Sequence, residues 1–373
     1  KMTGTAGSRD VKFLERVFHK LLLNFTWWVN RKDPEGKNIF GGGFLGMDNI
    51  GVFDRSKPLP TGGRIAQADG TAWMAFYCGT MLSIALELAR EDAAYGEMAS
   101  KFLDHFVRIT DAINTQGGCG LWDEQDGFYY DHLHVDGRLV PLRVHSLVGL
   151  LPLIAVEILD EELVNDLPEF RHRLEWFLKY RHDLTRHISF AQCQDRGHRM
   201  LLAIPSREIL ERVLQVLLDV SEFLSPFGIR SLSKRHETEP FELTIHGQQH
   251  RIAYVPGESD SQMFGGNSNW RGPIWMPVNY LLIESLERYH AFYGDSFRLE
   301  CPVGSGQLMN LQEVSLELNA RLTRLFVPRA SDDARPCLGN PCGNVPYADW
   351  QQTLLFHEYF HGDTGEGLGA SHQ

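Results

Sequence analysis

Apolar residues return at three- and four-residue steps along most of the chain, the period of helices that bury one face. The steps predict helices over about 9–31, 70–90, 94–115, 141–160, 168–181, 206–222, 273–293 and 308–327. In the first, Phe13, Leu14, Val17, Phe18, Leu21 and Phe25 form the stripe, and Asp33-Pro34-Glu35-Gly36 ends it. The sixth opens at Pro205-Ser206, with Ser206 as cap and Glu208 and Glu211 at the positive end of the helix dipole. Long segments rich in Gly, Asn and aromatics separate the helices, over 34–69, 116–140, 182–204, 223–272 and 328–350. One of them holds a β-hairpin: Phe241, Leu243 and Ile245 alternate up to His246-Gly247, and Ile252 and Tyr254 alternate on the return. The fold class expected is therefore all-α, a ring of helical hairpins with one small β-hairpin in a long loop. No linker or composition break divides the chain, which reads as one domain over 1–373. Loops longer than about fifteen residues are uncommon in compact domains and tend to carry function.

Composition narrows the classes. Asp plus Glu exceed Lys plus Arg by 48 to 36, and no basic block appears, which argues against a nucleic-acid surface. Eight Trp, eleven Tyr and twenty-two Phe are many, and several stand beside Gly, Asn, Asp or Arg rather than in apolar runs. Aromatic faces stack on the C–H faces of sugars, so such clusters suit a carbohydrate site, although most aromatics serve a core. The six cysteines are scattered, with no C-x-x-C pair, which points to a reducing, cytoplasmic setting rather than a zinc ribbon or a disulfide scaffold. The stretch Leu147–Leu159 contains Pro152 and Glu157 and is shorter than a bilayer requires, and no leader segment is read at Lys1. A soluble protein with no membrane partner is expected.

Four loops carry candidate chemistry. In Phe40-Gly-Gly-Gly-Phe44-Leu-Gly-Met-Asp48-Asn49-Ile-Gly-Val-Phe-Asp54-Arg55, glycines and aromatics surround Asp48, a setting that suits a desolvated general acid as well as a simple turn. Phe264-Gly-Gly-Asn267-Ser-Asn269-Trp270-Arg271-Gly272-Pro273-Ile-Trp275 sets an indole, a guanidinium and amides before a helix expected to start at Pro273. Arg271 is suited to sugar hydroxyls or to a catalytic carboxylate, and equally to a structural role in a helix-entry loop. Leu121-Trp122-Asp123-Glu124-Gln-Asp126-Gly127 reads equally as a Gly-turned hairpin with Trp122 toward a ligand or as a purely structural turn, and its acidic spacing does not match a calcium loop.

The fourth, Phe356-His357-Glu358-Tyr359-Phe360-His361-Gly362-Asp363-Thr364-Gly365, contains the zincin pattern His357-Glu358-x-x-His361. A zincin needs that pattern on a continuing helix, and Gly362 follows at once. Thr364 and Gly367 stand where the metzincin extension requires Gly and His. A zinc metallohydrolase is thus the alternative, and Glu358 on an aromatic-lined loop is the main reading. Gly365-Glu-Gly-Leu-Gly lacks the strand and helix of a nucleotide fingerprint.

Together, Gly43-Phe-Leu-Gly-Met-Asp48-Asn49-Ile-Gly, Asn269-Trp270-Arg271-Gly272 and Phe356-His-Glu358 through Thr364-Gly365 resemble glycoside hydrolase family 63, with processing α-glucosidase and enzymes acting on mannosylglycerate. The resemblance runs over nearly the whole chain. It implies an (α/α)6 toroid and an inverting, exo-acting α-glycosidase, most simply an α-glucosidase, with no metal or other cofactor. By motif, Asp48 resembles the acid and Glu358 the base, and an inverting pair stands about 6.5–9.5 Å apart. Phe44, Asn49, Asp54, Trp122, Asn269, Trp270, Arg271 and His361 are the sugar-binding residues that follow from it. The family toroid has more helices than the pattern supplies, so a fragment of a longer enzyme, incomplete at both ends, is expected. A non-catalytic sugar-binding barrel is the rival outside enzymes.

Overall fold

The computed structural model describes residues 10–33, 36–41, 46–55, 57–60, 62–115, 120–181, 184, 188–193, 197–261, 263, 268–330, 334–339 and 355–371. In chain order these form α1 (Val11–Val29), β1 (Arg64–Ala66), α2 (Ala68–Ala89), α3 (Ala94–Thr115), β2 (Trp122–Asp123), β3 (Phe128–Tyr129), β4 (Asp131–Val135) and β5 (Arg138–Leu142). There follow α4 (Leu147–Leu150), β6 (Val156–Asp160), α5 (Glu161–Asn165), α6 (Pro168–Tyr180), β7 (Ile188–Cys193), β8 (Gly197–Ala203) and α7 (Arg207–Leu217). The last third holds β9 (Leu224–Ser225), β10 (Gly228–Ile229), β11 (Phe241–Ile245), β12 (Gln248–Ile252), α8 (Met276–Tyr293), β13 (Arg298–Glu300), β14 (Leu308–Asn310), α9 (Leu311–Arg324), β15 (His357–Phe360) and β16 (Gly367–Ser371).

The chain is helix-rich, as its periodicity predicts, but it carries several small antiparallel sheets where one hairpin was expected. Short strands leave too few residues for the period of two to register, so the sequence hides them. The stretch 141–160 is also not one helix. It passes through a single helical turn at Leu147–Leu150 and a 3₁₀ turn at Leu151–Ile154 into β6. Every residue from Leu147 to Ile154 is buried, so no polar face marks a period, and Pro152 cannot extend the α-helical ladder.

Two compact units share the chain. One comprises Lys1–Gly41, Gly70–Gly120 and Ala155–Ser206. Asp10 caps α1 by accepting from the Phe13 N–H at 2.9 Å. Phe18 and Phe25, two turns apart, set their rings edge-on to Phe102 of α3 at 6.1 and 5.0 Å. Burial of each such ring contributes about 1.5–3 kcal/mol. Phe170, Leu174 and Phe177 give α6 its buried stripe, and α6 packs on α3. Helix α2 is long and apolar enough to cross a membrane, with mean hydropathy 1.4, a longer apolar run than Leu147–Leu159. Met74, Cys78, Met81, Leu82 and Leu86 along it have no exposed surface, so one face of this helix is taken up by the protein's own packing.

The other unit comprises Gly42–Asp69, Leu121–Ile154 and Arg207–Gln373 and contains every described candidate residue. Its β11–β12 hairpin follows the predicted alternation, and Ile245 pairs with Gln248 across a two-residue turn. His246 and Gly247 both have positive φ, 50° and 75°, the type I′ geometry that matches strand twist. Val52 and Phe53 pack with Leu133, Val135, Leu142, Leu232 and Ile252, which anchors the chain just after Asp48. Arg55, buried two residues further on, pairs with Asp69 and Asp131. Burial pushes the Asp131 carboxyl up to about 7, against the pull of Arg55.

Helix α8 begins at Met276, not at Pro273. Pro273 lies in an extended segment whose neighbour Ile274 exchanges both backbone hydrogen bonds with Phe360 of β15, at 2.8 and 3.0 Å. That pairing outweighs the helix-starting preference of Pro.

Candidate active site

Asp48 and Asn49 occupy the corner of a turn closed by the Ile50 N–H donating to the Met47 carbonyl at 3.1 Å. Gly46 and Met47 enter it with φ of 73° and 57°. A left-handed Met is costly, and this one is 2% exposed, so packing holds it there. The Asp48 carboxylate, half-buried, accepts from the Ser268 hydroxyl at 3.4 Å rather than from its own backbone.

Asn49 has no exposed surface, and its amide fixes the turn to the Asn269–Arg271 segment. Its Nδ2 donates to Asn269 Oδ1 at 3.0 Å and to Ser259 Oγ at 3.3 Å, and its Oδ1 accepts from the Trp270 N–H at 2.7 Å. Asn269, equally buried, donates to the Val255 and Gly257 carbonyls and accepts from the Arg271 N–H. The Arg271 guanidinium donates to the Asn49 carbonyl at 2.6 Å and the Gly51 carbonyl at 3.1 Å. Burial lowers its proton affinity, partly offset by Asp260. Its described hydrogen bonds hold the Asp48 turn in shape.

An aromatic stack continues from here. Trp270 lies on Trp275 at 3.7 Å and 5° between planes, and Trp275 lies on Tyr359 of β15 at 4.9 Å. Trp270 is 9% exposed, so one ring face is closed by its neighbour. The stack and the Ile274–Phe360 backbone pair connect the second motif to the strand that carries Glu358.

That strand settles the zinc alternative. His357-Glu358-Tyr359-Phe360 is extended, and residues four apart on a strand are separated by about 13 Å, too far for His357 and His361 to share one ion. The described residues include no group of three His, Cys, Asp or Glu placed to hold a metal. The register of β15 and β16 shifts between His357 and Tyr359, putting Glu358 at a bulge, a feature that re-aims side chains. Glu358 is exposed, and its Oε2 accepts from the Ala370 N–H at 3.2 Å. Gly369 opposite has φ of 66°, and a Cβ there would stand 2.8 Å from Glu358 Oε2. The glycines of 365–369 thus shape this hairpin.

His361 accepts at Nδ1 from the Asp363 and Thr364 N–H groups, at 3.1 and 3.2 Å, and packs on Gly257. Burial holds its proton affinity below the usual histidine range, against Asp363 and Glu366. Burial opposes ionisation of Asp363, but hydrogen bonds and charge from Arg230 and Lys234 outweigh it and hold this carboxyl below the usual range.

Two expected residues stand in other contacts. Asp54 pairs with Lys57 at 2.9 Å. The Trp122 indole N–H donates to Glu124 at 2.6 Å, with Arg212 over its ring. Phe44 lies outside the described residues. No described hydrogen bond or ion pair joins Asp48 to Glu358. Sequence reasoning missed Glu258, whose carboxylate accepts from the buried Tyr359 hydroxyl at 2.7 Å. Only its place beside Gly257 hinted at it.

Residues 200–373 match the Mannosylglycerate hydrolase MGH1-like glycoside hydrolase domain. This part of the chain is similar to that glycoside hydrolase domain. The glycoside hydrolase domain so identified includes the second and fourth motifs, and the family agrees with the one the motifs resemble. The chain is 50% identical to "Uncharacterized protein YMR196W" of Saccharomyces cerevisiae over 381 residues, which covers 98% of this chain and 35% of that protein. It therefore spans about a third of that relative's length. Among solved structures, it is similar to a GH63 mannosylglycerate hydrolase from Thermus thermophilus in complex with glucose, at 16% identity and a TM-score of 0.49. That match covers 98% of this chain and 68% of the other. An uncharacterized conserved protein from the same organism gives 17% identity and a TM-score of 0.46, covering 98% of this chain and 69% of the other.

Proposed function

We infer that this chain supplies the catalytic residues of an inverting, exo-acting α-glycosidase of family 63, with Asp48 as general acid and Glu358 as general base. The observation that carries the reading is the continuity between them. The amides of Asn49 and Asn269 join the Asp48 turn to Trp270 and Arg271, and the Ile274–Phe360 pair joins that segment to the strand of Glu358. Inversion requires two carboxyls on opposite sides of the sugar, with water beside the base. Asn49, Asn269, Trp270 and Arg271 position the acid in this reading, and His361 shapes the base side. The toroid belongs to the same inference, with α8 packed on α9 as one helical pair. So does a reducing, cytoplasmic setting, since Cys78, Cys301 and Cys337 are buried free thiols.

An α-glucoside is the substrate inferred, with mannosylglycerate the other member of the panel by the family's name. Proton NMR of fresh products from nigerose, kojibiose, maltose and mannosylglycerate, with the whole protein, tests the reading. Early β-glucose or β-mannose is expected. An early α-anomer refutes the acid/base pair, and no turnover together with unaltered sugar binding by Asp48→Asn and Glu358→Gln makes this a binding protein.

A further inference from the structure

Glu258 is a carboxylate the mechanism above does not use, and its contacts face both halves of the site. The residue before it, Gly257, accepts from Asn269 Nδ2 at 2.7 Å, and the residue after it, Ser259, accepts from Asn49 Nδ2 at 3.3 Å. Its backbone is therefore held by the two amides that frame Asp48. Its side chain reaches the other way. Oε2 accepts from the Tyr359 hydroxyl at 2.7 Å, and Oε1 lies 3.5 Å from the Gly369 N–H. Tyr359 follows Glu358 on β15, and Gly369 precedes the Ala370 N–H that Glu358 accepts from. Both strands flanking the bulge are thus gripped by one carboxylate.

We propose that Glu258 is a positioning residue that holds the β15–β16 bulge and so sets the direction of the Glu358 carboxylate relative to the acid-side frame. An exposed side chain at a bulge has little packing to orient it. A bond from an ionised acceptor to the next residue's buried side chain supplies that constraint, and it anchors the far end of the Trp270–Trp275–Tyr359 stack. The role in catalysis rests on the reading of Glu358 as base, whereas the grip on the hairpin does not.

The test uses the whole protein with Glu258→Gln, Tyr359→Phe and the double variant, read by hydrogen exchange and by steady-state kinetics. Exchange over 357–371 should rise about tenfold in each single variant, the size of one hydrogen bond to a charged group, with α3 and α6 unchanged. Turnover should fall about tenfold with KM within about twofold, and the double variant should be no worse than Glu258→Gln alone, since the bond to Tyr359 is shared by both changes. Unchanged exchange over the hairpin overturns the proposal whether or not the protein hydrolyses a sugar. Additive losses in the double variant, or a rise in KM without loss of turnover, overturn it too. A wild type with no turnover refutes the glycosidase reading, and hairpin exchange then decides this inference alone.

Discussion

Asp48 stands on a turn whose next residue is wholly buried and bonded through both polar atoms of its side chain, whereas Glu358 stands exposed on a bulged strand, its carboxylate held in the described residues by the Ala370 N–H. The acid side is framed by neutral amides, carbonyls and the Arg271 guanidinium, none of which changes charge near neutral pH. The base side is framed by a tight hairpin whose turn holds His361 and Asp363. The contrast fits the two tasks proposed for these carboxylates. A general acid must meet a leaving oxygen at a fixed distance, so rigidity serves it, while a base must leave room for water. It also separates activity from stability: damage to the acid frame should affect both, and damage at Glu358 only the first.

The largest effects expected are on turnover. Asp48→Asn and Glu358→Gln should each lower kcat by about two orders of magnitude or more, while Glu358→Gln leaves urea unfolding within about 0.5 kcal/mol of wild type. A large loss of stability in Glu358→Gln would erase the contrast. Next comes the frame itself. Asn269→Ala strands the buried Arg271 N–H, removes the partner of the Val255 and Gly257 carbonyls, and leaves Asn49 Nδ2 with Ser259 alone. It should cost about 3 kcal/mol in urea unfolding and lower turnover as well. Gly369→Ala should cost about 1–2 kcal/mol, because φ is positive and the added Cβ meets Glu358 Oε2 and the Tyr359 ring. It should lower turnover more than its stability loss explains, since it displaces the carboxylate itself.

Much of this was legible in the sequence, and the failures have physical causes. The β11–β12 hairpin announced itself because one face alternates and His246-Gly247 suits the turn. The three motifs stood out because glycines and aromatics beside polar residues are uneconomical in a plain core. Pro273 misled because its local preference for a first helical turn is real but weaker than pairing with Phe360, a partner far away in sequence. The zincin pattern misled because identical spacing serves a strand as readily as a helix. Glu258 left almost no trace, since an exposed Glu is the commonest of surface residues and only Tyr359 gives it meaning. The part played by Arg271 was left open between two readings, because a guanidinium that binds carbonyls reads the same as one that binds a sugar.

The smallest effect expected separates the two sides by their titration. The side chains of Asn49 and Asn269 that build the frame are amides, which carry no titrating proton. The hairpin turn has two groups whose proton affinities lie below their ordinary values. For His361, burial disfavours the imidazolium in the folded protein, so below about pH 6.5 the unfolded chain takes up a proton that the folded one refuses. Its stabilisation is complete above that pH and declines as the pH falls toward the folded value. For Asp363, stabilisation is complete above about pH 3.9 and is lost as the pH falls through its lowered folded value. Other buried histidines add slope common to every variant, His132 above all, which burial brings down to about 4. The differences between variants therefore carry the information. Unfolding midpoints measured from pH 8 to 3 should be flatter for His361→Gln below about pH 6.5, and flatter for Asp363→Asn only below about pH 4. Curves parallel to wild type throughout would mean that the hairpin is as indifferent to protons as the amide frame, and that the contrast between the two sides lies in exposure alone.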